Sequence, residues 1–199
     1  MKQPAARWRR VVVAMATMAI VVMIARHGRA VGTNPPALLD DLLHGIDLVP
    51  TRTLYDPTLG NNPAPTLLAI AMPTGGTGDV GARVRAIRAL ALYPDDTVRD
   101  ALTSLITSLT PSTVVSDVIL LGSSIESLGL CGQESDVPTI VPLLNYDNSR
   151  DIRTTAARAL RDIGSTTAID ALRTRYAIET TAEVRLAISE ALRQLGQTP

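Results

Sequence analysis

Apolar and polar positions repeat with a period of 32 residues from residue 79 onward. Three glycines, Gly132, Gly164 and Gly196, mark the ends of successive copies. In each copy a leucine stands four residues before the glycine, and an aliphatic residue stands twelve residues before it. These apolar positions are Leu128, Leu160, Leu192, Leu120, Ile152 and Val184. A looser copy begins at Val84. The shared spacing indicates one structural unit, repeated along the chain.

Each copy opens with a pattern that predicts an amphipathic helix. In the last copy the apolar residues recur at steps of three and four, from Val184 to Leu195. The glycine after the helix suits a left-handed cap. A second helical segment follows, as in residues 168–176, and no run alternates with a period of two. The predicted fold class is therefore all-α. Predicted N-caps are Asp96, Ser112, Asp136 and Ser149, with Thr180 and Glu183 as a capping box.

A proline-rich segment precedes the repeats. Seven prolines lie between residues 31 and 73, and prolines at this density break a chain into short pieces. We predict short helices at residues 37–44 and 66–72, with irregular chain over residues 51–65. The chain then divides into three parts: residues 1–30, a proline-rich segment over residues 31–78, and a repeat domain over residues 79–199.

Residues 1–30 have the layout of an export signal. A basic start is followed by fifteen uncharged, mostly apolar residues, Val11 to Ala25, and then by a second basic cluster. Fifteen residues form roughly 23 Å of helix, less than the ~30 Å of a bilayer's hydrocarbon core. We therefore predict cleavage after Ala30 and a periplasmic or secreted protein. The alternative is an uncleaved anchor in the inner membrane, with membrane contact only through this segment.

Net charge differs between residues 1–30 and the rest of the chain. The net charge of the 199 residues is zero, but residues 1–30 carry +6 and residues 31–199 carry −6. An acidic domain disfavours nucleic acid as a partner. The single cysteine, Cys131, excludes an internal disulfide framework and a multi-cysteine zinc site. It stands at an apolar register position, which favours a buried packing thiol.

Two local patterns could carry chemistry. Residues 76–81 satisfy the dinucleotide pattern G-x-G-x-x-G, but no βαβ pattern follows, so we interpret them as a loop between helices. His44 shares one helix face with Asp40 and Asp41, a set that could bind a metal or act as a general base. No second histidine lies in the exported part, so we interpret this set as an acidic helix face with a histidine near the helix end, where the helix dipole favours a positive charge. We predict no enzyme activity, no cofactor and no metal.

The repeats resemble HEAT repeats, in particular the short bacterial variety also found in phycobilisome-lyase-like proteins. Residues 151–153 with 159–160 and 163–164, and residues 183–185 with 191–192 and 195–196, carry the likeness. The copy at Leu120 departs from it, because Leu121 stands where arginine is expected and no acid precedes it. The copy at Val84 has Arg83 in the acid position. The resemblance implies an α-solenoid of about three to four stacked helix pairs that binds proteins.

The predicted function is a non-enzymatic scaffold or adaptor in the bacterial envelope that binds a protein or peptide. The alternatives are a lyase-like or chaperone-like protein that handles a small cofactor, and a membrane-tethered assembly subunit. We interpret the arginine and acid at each helix start as a structural ladder between adjacent repeats. The resemblance implies that second helices line the concave side. The predicted contact residues are therefore Arg99, Thr103, Asp170, Arg173 and Thr174.

Overall fold

A computed structural model describes residues 35–45, 49–75 and 78–199. The contacts between residues divide the chain into two compact units, residues 1–38 and residues 39–199. The packing described below is that of the second unit. The predicted export signal lies outside the described residues. Those residues form ten α-helices, two 3-10 segments and no strand, which confirms the all-α prediction. The helices are α1 (Pro35–His44), α2 (Arg52–Leu59), α3 (Ala64–Ala71), α4 (Val80–Leu90), α5 (Asp96–Leu109), α6 (Val115–Cys131), α7 (Val137–Ile140), α8 (Arg150–Ile163), α9 (Thr166–Ile178) and α10 (Ala182–Gln194).

The repeated helices pack in two layers. Helices α4, α6, α8 and α10 contact one another in that order and form the layer of first helices. The second layer consists of α5, of α7 with its flanking 3-10 segments Glu134–Asp136 and Val141–Asn145, and of α9. Helix pairs stacked in this way form an α-solenoid, as the sequence predicts. Pro138 and Pro142 explain why the second element of the middle pair is broken into short turns.

The core coincides with the 32-residue register. Leu120, Leu128, Leu160, Val184 and Leu192 are fully buried, and Ile152 is nearly so. One helix pair cannot bury its apolar stripe alone, so each first helix buries its stripe against its neighbours. The sequence period is thus the period of the core.

The register glycines serve two different purposes. Gly164 and Gly196 have φ of 67° and 71°, the left-handed conformation predicted for a helix cap. Gly132 has φ of −77°, so the prediction is wrong there. A Cβ at Gly132 would lie 2.3 Å from the carbonyl oxygen of Leu128, and the position requires glycine for its size.

Two further glycines lie on α6 and differ in what surrounds them. A Cβ on Gly129 would lie 2.5 Å from Cα of Ala159, so α6 and α8 approach too closely there for any side chain. A Cβ on Gly122 would meet only Cδ1 of Ile152, at an ordinary distance of 3.6 Å. Packing within the described fold therefore requires glycine at 129 and does not require it at 122.

Helices of the proline-rich segment join the same core. Leu67 and Ala71 of α3 are fully buried, and α3 packs against α4. Helix α2 occupies part of the segment predicted to be irregular, although Pro57 lies inside it. Tertiary contacts stabilise this helix despite the backbone hydrogen bond that the proline cannot donate. Tyr55 is buried, and Arg52 donates to the carbonyl of Leu92 at 2.6 Å.

Side-chain caps mark most helix starts in the repeats. Ser149 accepts the amide of Ile152, as predicted, and Asp95 rather than Asp96 caps α5. Asp79 and Ser165 cap α4 and α9 in the same way. The N-caps of α6 and α10 are Val114 and Thr181, so the predictions at Ser112 and Thr180 are each off by one or two residues.

Candidate functional site

The predicted contact residues on α5 are partly engaged within the fold. The guanidinium of Arg99 is mostly buried; it bonds to Asp96 and lies 3.8 Å from Asp136 in the next repeat. Thr103 is half-buried. Arg99 therefore joins two repeats, and removing it would disturb the stack as well as any partner contact.

The predicted contact residues on α9 lie together in solvent. Asp170, Arg173 and Thr174 are exposed, and the Thr174 hydroxyl donates to the Asp170 carbonyl at 2.8 Å. Arg173 donates to Oε1 of Gln197 at 2.5 Å. The short α7 unit lies between α5 and α9 in the second layer, so the five predicted residues form two groups rather than one.

The arginines that follow the aliphatic residue at the start of a copy, Arg85, Arg153 and Arg185, hydrogen-bond first helices to other segments. Arg85 donates to the carbonyls of Leu43 and Gly45, each at 3.0 Å. Arg153 donates to the carbonyl of Tyr146 at 3.0 Å, and Arg185 donates to that of Tyr176 at 2.7 Å. Each of these first helices is thereby bonded to the backbone of an earlier part of the chain. Arg150 and Glu183 add an exposed ion pair of 3.0 Å between α8 and α10. These contacts agree with the structural ladder inferred from the sequence.

A buried carboxylate, Glu179, joins the last two repeats. It is 3% exposed and lies in the loop between α9 and α10. Arg175 donates to its Oε2 through Nε at 2.9 Å and Nη2 at 2.6 Å, and the Thr181 amide donates to its Oε1 at 2.8 Å. Nε of Arg153 lies 3.4 Å from the same carboxylate.

The environment of Glu179 keeps it ionised. Burial by itself opposes the charge, but the bonds from the Thr181 amide and from Arg175 outweigh it and lower the pKa of Glu179 to about 2. A carboxylate bonded in this way has no free proton-accepting role at neutral pH. The sequence did not reveal this cluster, because Glu179 lies outside the repeated register.

His44, the glycine motif and Cys131 are the other residues considered for chemistry in the sequence. Nδ1 of His44 lies 3.0 Å from Oδ1 of Asp40, and Nε2 lies 3.6 Å from Asp79, whose carboxylate caps α4. Over the residues that the structure describes, no group of three or more potential ligands could hold a metal ion. Gly76 and Thr77 of the glycine motif lie outside the described residues. Burial raises the pKa of the half-buried Cys131 thiol to about 11, which keeps it protonated.

Two open grooves lie on the outer surface of the first-helix layer, called here the first-helix face. Groove 1, of about 720 Å³, is lined by residues of α4, α6 and α8. Groove 2, of about 520 Å³, lies between α8 and α10. A smaller pocket of about 360 Å³ lies between α5 and α7 in the second layer. The larger grooves are thus on the face opposite to the one predicted for binding.

An exposed apolar stripe runs along α6 at groove 1. Val115 is 74% exposed, Ile119 49% and Leu130 64%. Ile119, Gly122, Glu126 and Leu130 line groove 1, and Val115 lies one turn before Ile119, beyond the groove lining. At the register position of Ile119, α8 and α10 carry the acids Asp151 and Glu183. The missing acid before Leu120, where the repeat departs from its pattern, is therefore the sequence signal of this stripe.

Charges at the grooves are mostly paired with each other. Arg88 lies 3.2 Å from Glu126 across α4 and α6, and Arg161 lies 2.7 Å from Asp162. Arg158 is exposed, lines both grooves and forms no ion pair with a described carboxylate. The first-helix face therefore offers an apolar stripe beside one uncompensated positive charge.

Comparison with known families gives a match in the repeated region. A family model described as HEAT repeats matches residues 116–193, which span α6 to α10. Comparison with curated proteins and with solved structures gives no match. Among the described helices, none has the length and apolar character that a membrane crossing requires.

Proposed function

Because residues 116–193 match a family model of HEAT repeats, we propose that the chain is a non-enzymatic adaptor that binds another protein through its first-helix face. The observation that carries the proposal is the α6 stripe along groove 1. Large exposed apolar residues grouped on one helix face beside polar groups are typical of protein interaction sites. Full burial of one aliphatic side chain contributes roughly 1.5–3 kcal/mol, so three of them supply a useful share of a binding free energy.

The first-helix face is a better candidate than the second layer. Arg99 and Thr103 are partly buried within the stack, and the second-layer pocket is about half the volume of groove 1. The exposed group Asp170, Arg173 and Thr174 on α9 remains the competing site. Its surface lacks an apolar stripe comparable to that of α6, since Ile178 is the one large exposed aliphatic residue described on that helix.

Photocrosslinking in intact cells distinguishes the two faces. A photoreactive benzoylphenylalanine in place of Leu130 should crosslink the full chain to a protein partner, whereas the same probe in place of Thr174 should not. Adding Ile119→Glu should abolish the Leu130 crosslink, because a buried unpaired charge weakens an interface by about a hundredfold or more.

Ile178→Glu is the control for Ile119→Glu, because it places the same charge at another exposed isoleucine, 64% exposed against 49%, on α9 in the second layer. It should leave the crosslink unchanged. Far-UV circular dichroism of both variants should match the parent chain, since both side chains face solvent. Crosslinks from position 174 alone would contradict the proposal and support the α9 group.

Location is also part of the proposal. The basic, apolar and basic layout of residues 1–30 supports export to the bacterial envelope, as a periplasmic or secreted protein. N-terminal sequencing of the protein from the envelope fraction should begin at Val31. A chain that begins at Met1 in the membrane fraction would favour the uncleaved anchor, and one found intact in the cytosol would contradict export.

A further inference from the structure

Gly122 is a mid-helix glycine that packing within the described residues does not require. Its Cβ would meet only one side-chain atom at an ordinary distance, and its φ is not positive. A glycine in a helix interior costs about 0.5–1 kcal/mol relative to alanine. At Gly129 on the same helix, the close approach of α8 offsets that destabilisation. Gly122 instead faces the open floor of groove 1. Its small size leaves the floor of groove 1 open.

The walls of groove 1 decide which peptide conformation fits. They are formed by α4, α6 and α8, whose backbone N–H and C=O groups are bonded within the helices. An extended peptide would find no sheet edge to pair with and would bury unpaired backbone groups. A helix satisfies its own backbone and can pack side chains against such walls. A glycine on the floor lets the two helix backbones approach closely.

The length of the stripe sets the length of the contact. Ile119 and Leu130, which line groove 1, are eleven residues apart on α6, and Val115 one turn earlier extends the exposed stripe to roughly 23 Å of helix. A partner helix of about 16 residues would cover it with apolar side chains spaced three and four apart.

The charges identify the polar contact. Arg158 lies beside the apolar floor and forms no ion pair with a described carboxylate, so a carboxylate on the partner would complement it. Three acids and three arginines line the same groove, so it has no excess of positive charge to attract a polyphosphate backbone. The complementary ligand is thus an apolar helix with a single acidic side chain.

From these observations we infer that groove 1 binds an amphipathic α-helix that crosses α6 at Gly122 and pairs a carboxylate with Arg158. The inference rests on the proposed function and names the chemistry of its partner.

Two displayed peptide libraries test it against the full chain. One presents 16-residue stabilised helices with a randomised face, and the other presents randomised flexible segments of equal length. The helix library should yield binders with apolar residues at three- and four-residue steps and one Asp or Glu. Gly122→Leu should raise their Kd at least tenfold, because the new side chain fills the floor. Arg158→Gln should raise it about tenfold, as expected for the loss of a charge-assisted bond.

Controls separate binding from folding. Gly122→Leu should keep or raise the thermal midpoint, since leucine favours helix. Arg193→Gln, on α10 outside both grooves, should leave the Kd unchanged. Arg158→Glu should restore binding to peptides whose acid is changed to lysine.

The inference is overturned if only flexible segments bind, if neither library binds, or if the selected helices bind the Gly122→Leu variant equally well. Should the Leu130 crosslink to a natural partner persist in that case, the adaptor function stands and only the helical ligand fails. Loss of both results would remove the function as well.

Discussion

Gly129→Ala should lower the free energy of unfolding by about 2 kcal/mol, even though alanine is the better helix former. The added methyl group would lie 2.5 Å from Cα and 2.6 Å from Cβ of Ala159, so two helix backbones must separate. Overpacking against a neighbouring backbone should cost about 3 kcal/mol, at the upper end of the usual range, and the propensity gain of about 1 kcal/mol offsets only part of it. Thermal unfolding should show a midpoint lower by roughly 4–8 °C.

Gly122→Ala is the matched control on the same helix. Its methyl group has room, so the propensity gain should appear undiminished as a midpoint higher by roughly 2–4 °C. Opposite signs for the two variants would verify the close approach of α6 and α8. If both glycines tolerate alanine equally, the packing described at Ala159 is incorrect.

Glu179→Gln should destabilise the fold by about 3 kcal/mol. The substitution preserves the shape of the side chain but leaves the guanidinium groups of Arg153 and Arg175, both largely buried, without their counter-charge. Removing one partner of a buried ion pair costs about 3–5 kcal/mol. Chemical denaturation at neutral pH measures the change directly.

Acid dependence provides a second readout of the same cluster. The pKa of Glu179 in the folded chain is lowered from 4.5 to about 2, so its stabilisation is present above pH 4.5 and is lost as the pH falls toward 2. Glu179→Gln should lack that part of the acid-induced loss of stability. Glu183→Gln is the control, because its exposed pair with Arg150 contributes less than about 1 kcal/mol. Equal losses for the two variants would contradict the role of Glu179.

The sequence predicted those features that repeat. Leu128, Leu160 and Leu192 are buried because the first helix of every copy packs the same apolar stripe into the core. The spacing of 32 residues between them shows this stripe in the sequence. The left-handed cap at Gly164 follows from the same register. Helix α2 could not be predicted in this way, since contacts with residues far along the chain stabilise it despite Pro57.

The candidate site was less accessible to sequence reasoning because it lies where the repeat departs from its pattern. Ile119 replaces an acid and Leu121 replaces an arginine, which weakens the match to the other copies. Only the packing shows that Leu121 is buried whereas Ile119 faces solvent. The predicted residues on α5 and α9 followed from the usual binding side of the resembled family, and their place in the contact remains a prediction.

The Glu179 cluster also bears on how this stack comes apart. Repeat stacks usually fray from their ends, because each repeat contacts only its immediate neighbours. Here Arg175 also donates to Oδ1 of Asn145, at 2.5 Å, and Arg153 donates to the hydroxyl of Thr181, at 3.0 Å. Opening α10 would disturb Thr181, whose hydroxyl accepts from Arg153 and whose amide donates to Glu179, and would expose this buried cluster to water. We therefore expect the residues from Asn145 onward to unfold together rather than from α10 inward.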